Sequence, residues 1–201
     1  MDYIGLSCGF HDAAVSVIDS SGNIVFAGHS ERYSKHKHDD NLCLSIITDA
    51  LKYTENYQIH YYERPVLKYL RQLVAGQKPI FANLNVKNII GSNNMKLLGN
   101  KKVYTHNHHL SHAAAGFQTS PYDDATVVVI DAIGEFDTIS IWNAWYDKNG
   151  KAQYKKLWGR KYPDSIGLFY SAMTERVGLR PLDEEYILMG MAAYGQPIHL
   201  N

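Results

Sequence analysis

The chain has 201 residues, 45% of them hydrophobic and 12% aromatic, enough to bury a core in one large domain or two small ones. Twenty basic and twenty acidic residues cancel, so no net field draws nucleic acid or an anionic membrane, and neither is expected as a partner. No window approaches eighteen apolar residues, the N-terminus lacks a signal-peptide layout, and the two cysteines, Cys8 and Cys43, form no disulfide pattern. A reducing, cytoplasmic setting is the expectation.

Residues 2–8 (DYIGLSC) read as a short buried strand in which Cys8 acts as a small hydrophobe. The turn Gly9-Phe10-His11-Asp12 leads into a second apolar strand at 13–18. Asp19-Ser20-Ser21-Gly22-Asn23 has hairpin-turn chemistry, and a third strand returns at 24–28. Leu42, Ile46, Ile47 and Leu51 recur at helical spacing and predict a helix over about 41–54. Residues 56–100 are less patterned: 57–62 are tyrosine-rich, 63–73 read as a helix opened by Pro65, and Gly91-Ser92-Asn93-Asn94 reads as a loop. A short strand at 102–104 precedes Asn107, which suits the N-cap of a helix over 108–118.

A similar order then returns. Residues 126–131 (TVVVID) are apolar without alternation, as in a central strand buried on both faces. Gly134-Glu135-Phe136-Asp137 follows, then a strand at 138–146, the turn Asp147-Lys148-Asn149-Gly150, a strand at 151–158 and a helix at 165–177. Two copies of strand, turn, strand, turn, strand and helix predict an α/β, duplicated ribonuclease-H-like architecture of the actin, sugar-kinase and Hsp70 superfamily. Residues 1–123 would form the first lobe and 124–201 the start of a second. In that fold the first hairpin of each half turns backbone N–H groups toward nucleotide phosphates, where glycine permits close approach.

Four histidines crowd into His106-Asn107-His108-His109-Leu110-Ser111-His112. On a helix His108 and His112 sit about 40° apart around the axis and about 6 Å apart along it, so both imidazoles leave one face and suit one cation. His109 is rotated away by about 100°. H-H-L-S-H lacks the glutamate of the zinc-protease signature, and two ligands do not complete a tight site. A polar first helical turn with exposed histidines explains the same residues.

Five stretches resemble the N-terminal part of the O-carbamoyltransferases of the nodulation and antibiotic-tailoring type. They are GLSCGFHDAAVSVI at the start, SERYSKHKHD at 30–39, HHLSHAAAGF at 108–117, IDAIGEFDTISIW at 130–142, and GLFYSAMTERVG with EEYILMGMAAYG near the end. The resemblance implies an actin-like catalytic domain that transfers a carbamoyl group to a hydroxyl of a small molecule. The donor, carbamoyl adenylate, is made by a separate C-terminal domain from carbamoyl phosphate and ATP. It also implies a divalent ion, iron, held by His108, His112 and an aspartate much further along, with His11 as base for the acceptor hydroxyl. A neutral histidine can take that proton near pH 7, and a metal can polarise the mixed anhydride.

Within this resemblance Asp12 orients His11, and Gly9 and Gly134 admit phosphate. Glu135 and Asp137 meet ribose hydroxyls or water, and Arg32, Lys35 and Lys37 meet anionic substrate. Turn-forming carboxylates explain Asp12 and Asp137 equally well, and a solvated basic loop explains the lysines. The chain departs from the pattern at Ala132, where the family has glycine, and at Ile187, where a lysine is usual. Only six residues follow Gly195, so the adenylating domain is expected to be absent, and self-association or a completing polypeptide is expected to cover exposed strand edges. The alternatives are a truncated nucleotide- or metal-binding module without transferase activity and, more weakly, a small-molecule kinase.

Overall fold

A computed structural model describes residues 1–10 and 12–196. The chain divides into two compact units, Met1–His112 and Ala113–Asn201, the second described as far as Gln196.

In the first unit, β1 (Asp2–Ser7), β2 (Ala14–Ile18) and β3 (Ile24–His29) form an antiparallel meander. Helices α1 (Glu31–Ser34) and α2 (Leu44–Ala50) precede β4 (Tyr57–Tyr61), which pairs parallel to β1. Three helices, α3 (Pro65–Val74), α4 (Val86–Ile90) and α5 (Ser92–Leu97), lead to β5 (Val103–Thr105), parallel to β4. The sheet order is β3-β2-β1-β4-β5, a mixed α/β layer whose last three strands run parallel. Side chains alternate across a strand, which gathers Ile4, Leu6, Val15, Val17, Ile59 and Tyr61 into one core with Ile46, Ile47, Ile90, Met95 and Leu98. Burying each of the larger aliphatic groups contributes about 1.5–3 kcal/mol.

The division between units falls within α6 (His108–Gln118). The second unit contains β6 (Asp124–Gly134), β7 (Asp137–Tyr146) and β8 (Ala152–Lys161), an antiparallel sheet with β7 in the middle. Next come α7 (Ile166–Arg176), capped by Ser165, and α8 (Glu185–Ala192). Phe117 is buried with its ring 5.0 Å from that of Tyr146 and 5.9 Å from that of Tyr154. Gly167 lies so close to β6 that an added Cβ would sit 2.6 Å from the Ala132 Cα. Among the described residues, no helix is long and apolar enough to cross a membrane.

The second hairpin turns of the two units match bond for bond. Asp19 Oδ1 accepts from the N–H groups of Ser21 and Asn23, and Asp147 Oδ1 accepts from those of Asn149 and Lys151. In each turn a glycine with positive φ, Gly22 or Gly150, donates its N–H to the aspartate carbonyl. The first turns do not match. In β1–β2 the last register pair is Ser7 with Ala14, leaving a six-residue connection with Gly9 and Asp12 at φ 79° and 56°. In β6–β7 Gly134 pairs with Asp137 across two residues, Glu135 has φ 56°, and the register slips between Ile130 and Gly134.

Three expectations are corrected. The helix expected over 41–54 is shorter: Cys43 is extended, its N–H bonding to the Ser30 hydroxyl, and after Ala50 the chain tightens into a 3₁₀ turn at Leu51–Tyr53. The expected loop at 91–94 is mostly α5, because Asn94 is buried and its amide donates to the carbonyls of Leu42 and Ile90. The run at 126–131 is not a central strand buried on both faces. It lies at a sheet edge with Val128 and Ile130 more than half exposed, while the inner strand is β7.

Candidate functional site

Strands β4 and β5 run parallel, side by side, and their C-terminal ends deliver two polar segments to one place. Ligand sites in parallel sheets gather outside such strand ends. Tyr62 and Glu63 leave β4 there, while β5 continues through His106 into α6. The His106 N–H donates to the Tyr61 carbonyl at 3.1 Å, which extends the pairing beyond the strands. The Ser111 hydroxyl donates to the Tyr62 carbonyl at 2.7 Å and ties the first turns of α6 to the end of β4. Asn107 caps the helix as predicted, its Oδ1 accepting from the Leu110 N–H at 2.9 Å.

On that helix His108 and His112 face each other, with their Nε2 atoms 3.1 Å apart. This spacing suits two neighbouring ligands of one ion held by bonds of about 2.1 Å. His112 is exposed, whereas the His108 side chain is only 12% exposed. His109 is fully buried on the other side, so it is a core histidine, as its helical phase requires. The donor set, two imidazoles with facing nitrogens, fits a divalent first-row metal.

Sequence reasoning did not mark Glu63, which is 3% exposed. Its Oε1 accepts from Lys68 Nζ at 2.6 Å and from the Tyr62 hydroxyl at 3.1 Å. Its Oε2 lies 3.5 Å from His108 Nδ1. Burial works to raise the Glu63 pKa, but the contacts with His108 and Lys68 outweigh it and hold the carboxyl below its ordinary value. Burial, and then the Glu63 charge, push the Tyr62 phenol up, so it stays a neutral donor. No motif spacing links residue 63 to residue 108; only the strand pairing does.

The turn between β1 and β2 carries other predicted residues. His11 lies outside the described residues. Asp12 has His38 as a neighbour, whose Nδ1 lies 3.2 Å from Asp12 Oδ1. The Gly9 N–H donates to the Asp40 carbonyl at 2.8 Å, and the Ala13 N–H to the Asp39 carbonyl at 2.7 Å. The 35–40 loop is thereby laced to the turn. Gly9 is accounted for without a phosphate: φ is positive and an added Cβ would meet Ile89 Cγ2 at 2.5 Å. Arg32 and Lys35 stay near their own helix, the Arg32 guanidinium 3.6 Å from Glu31 and Lys35 Nζ donating to the Arg32 carbonyl.

In the second unit Glu135 and Asp137 are buried. Asp137 is ion-paired with Lys156 at 2.7 Å. Gly134 ends β6 opposite Asp137, and Ile187 lies on α8.

Residues 49–200 match the family model described as the carbamoyltransferase N-terminus. The chain belongs to the carbamoyltransferase N-terminal family. It is 30% identical over 225 residues to an uncharacterised protein, sll1178, of Synechocystis, covering 98% of this chain and 35% of that protein. It is 26% identical over 198 residues to the nodulation protein NolNO of Sinorhizobium fredii, covering 93% of this chain and 28% of that protein. The chain thus spans about a third of the length of these curated relatives. Among solved structures, the Aquifex aeolicus PPX-GPPA enzyme is 10% identical, covers 88% of this chain with 64% of its own, and superposes with a TM-score of 0.32.

Proposed function

We propose that this chain is the hydroxyl-activating and metal-holding part of a carbamoyltransferase that moves a carbamoyl group from carbamoyl adenylate to a small-molecule hydroxyl. The observation that carries the proposal is the His108–His112 pair, with its Nε2 atoms 3.1 Å apart, in a chain of the carbamoyltransferase N-terminal family. The architecture we propose is the duplicated ribonuclease-H-like one. It is supported by the β3-β2-β1-β4-β5 order and by the matching aspartate turns at Asp19 and Asp147.

In the proposed step the acceptor oxygen attacks the carbamoyl carbon. The bond from that carbon to the phosphate oxygen breaks, and AMP leaves with the electron pair. The hydroxyl proton passes to His11, whose neutral imidazole suits that task near pH 7. Asp12 and His38 hold one end of the turn that carries His11. A divalent ion, iron in this reading, would be held by His108 and His112 and would polarise the oxygens of the anhydride. ATP and carbamoyl phosphate would be consumed where the adenylate is made, on polypeptide other than these residues. Helix α8 has no buried residue, and Met189, Met191 and Tyr194 are at least 49% exposed, which supports a completing polypeptide as partner of the second unit.

Single-turnover assays with supplied carbamoyl adenylate and a panel of sugar and polyol acceptors test the reading. Wild-type chain should release AMP in step with carbamate ester, and His11→Ala should slow this by about 10²–10⁴-fold. A second reading, a nucleotide- or metal-binding module without transfer, keeps the same His108–His112 pair as its metal site and needs no base at His11. Metal binding with no ester formed would support that reading and sink the first.

A further inference from the structure

We propose that Glu63 is the positioning residue of the His108–His112 pair: its Oε2 takes the His108 Nδ1–H and so leaves the His108 Nε2 lone pair beside His112 for a divalent cation. The inference rests on the metal reading above and adds a residue that no motif assigns.

The two carboxylate oxygens have divided duties. Oε1 is occupied by Lys68 Nζ at 2.6 Å and the Tyr62 hydroxyl at 3.1 Å, with the Tyr61 hydroxyl at 3.5 Å. Oε2 is the atom turned to His108, at 3.5 Å from Nδ1. That distance is long for a hydrogen bond, and polar contacts in an unloaded site are often long and tighten on loading.

The carboxylate is rigid for three reasons. It follows two residues after the inner strand β4, it is buried, and Lys68 from the first turn of α3 clamps it from the far side. His108 is equally fixed, since the first turns of α6 are capped by Asn107 and tied by Ser111 to the Tyr62 carbonyl. A neutral imidazole carries one proton, and the nitrogen that keeps it is set by the partner of the other. With a carboxylate facing Nδ1, the proton sits there and Nε2 is the donor atom. A carboxylate behind a ligating histidine also raises its basicity. Lys68 then has a definite task, keeping the Glu63 charge in place without itself approaching the cation.

The test uses the whole chain, stripped with a chelator and titrated with Co²⁺ while its visible absorption is followed. Two-dimensional ¹H–¹⁵N spectra of the metal-free protein report the His108 tautomer. The expected result is that Glu63→Gln weakens Co²⁺ binding about 10–100-fold and moves the His108 tautomer, while far-ultraviolet circular dichroism is unchanged. Glu63→Asp should recover part of the affinity. Because Glu63→Gln strands Lys68, the double variant Glu63→Gln with Lys68→Met is run beside it and should show the same loss. Wild-type binding that survives Glu63→Gln undiminished overturns the role of Glu63 alone. Absence of binding by wild type, or binding that His112→Ala leaves intact, overturns the metal reading and this proposal with it.

Discussion

The two units open with the same strand order yet bury very different amounts of apolar surface. In the first, five strands and their helices enclose Ile4, Val17, Ile46, Ile47, Ile59 and Leu98 almost completely. In the second, three strands and two helices leave Val128, Ile130, Leu157, Trp158, Phe169 and Met189 largely exposed among the described residues. Hydrophobic content is therefore not what separates them. The apolar run on β6 is covered on one face only, with Val129 buried while Val128 and Ile130 look out from the other face.

Core truncations should break the comparison most sharply. Ile47→Ala and Leu98→Ala should each cost about 2–5 kcal/mol in urea unfolding, because both side chains are wholly buried. In the second unit Met189→Ala should fall within about 0.5 kcal/mol of wild type, since the side chain is 66% exposed. Equal costs at these positions would mean that the second unit is covered in solution. Gly167→Ala should cost about 1–3 kcal/mol by overpacking, because α7 cannot back away from Ala132 without losing its seat on β6. Hydrogen exchange should place that loss at 124–134 and 166–176.

Smaller effects sharpen the same contrast chemically. Burial pushes the Cys8 thiol up to about 12, so iodoacetamide at pH 8 should label the folded chain at Cys43 and leave Cys8 unmodified. Labelling of both at equal rates would place Cys8 outside the core.

The smallest expected effect is at His60, whose pKa is held below the usual histidine value by burial and then by His106, 2.8 Å away. As pH falls, the unfolded chain takes this proton first. The stability from neutral His60 is thus full above about pH 6.5 and is lost as pH drops toward the folded value. His60→Gln should flatten denaturation midpoints between pH 7.5 and 5.5.

The candidate site was partly legible. Asn107 as cap and the His108–His112 pair follow from helical phase, a local property. The same phase argument sets His109 inward, where it is buried. The contact between Asp12 and His38, 26 residues apart, was not legible, because it depends on backbone bonds from Gly9 and Ala13 that lace the 35–40 loop to the turn. GFHD and GEFD each join the first two antiparallel strands of a unit, but one connection spans six residues and the other two. The equivalence of the Asp19 and Asp147 turns was the more faithful sign of repetition.

By itself the sequence determined what acts over a few residues: the three opening strands of each unit, the aspartate turns, the cap at Asn107, the paired histidines and the family. Tertiary structure alone decided which apolar strands are covered and which carboxylate stands behind His108. Burial and second contacts depend on which strands lie side by side. The parallel pairing of β4 with β5 brings Glu63 and His108 together across 45 positions of chain. No local period encodes that separation.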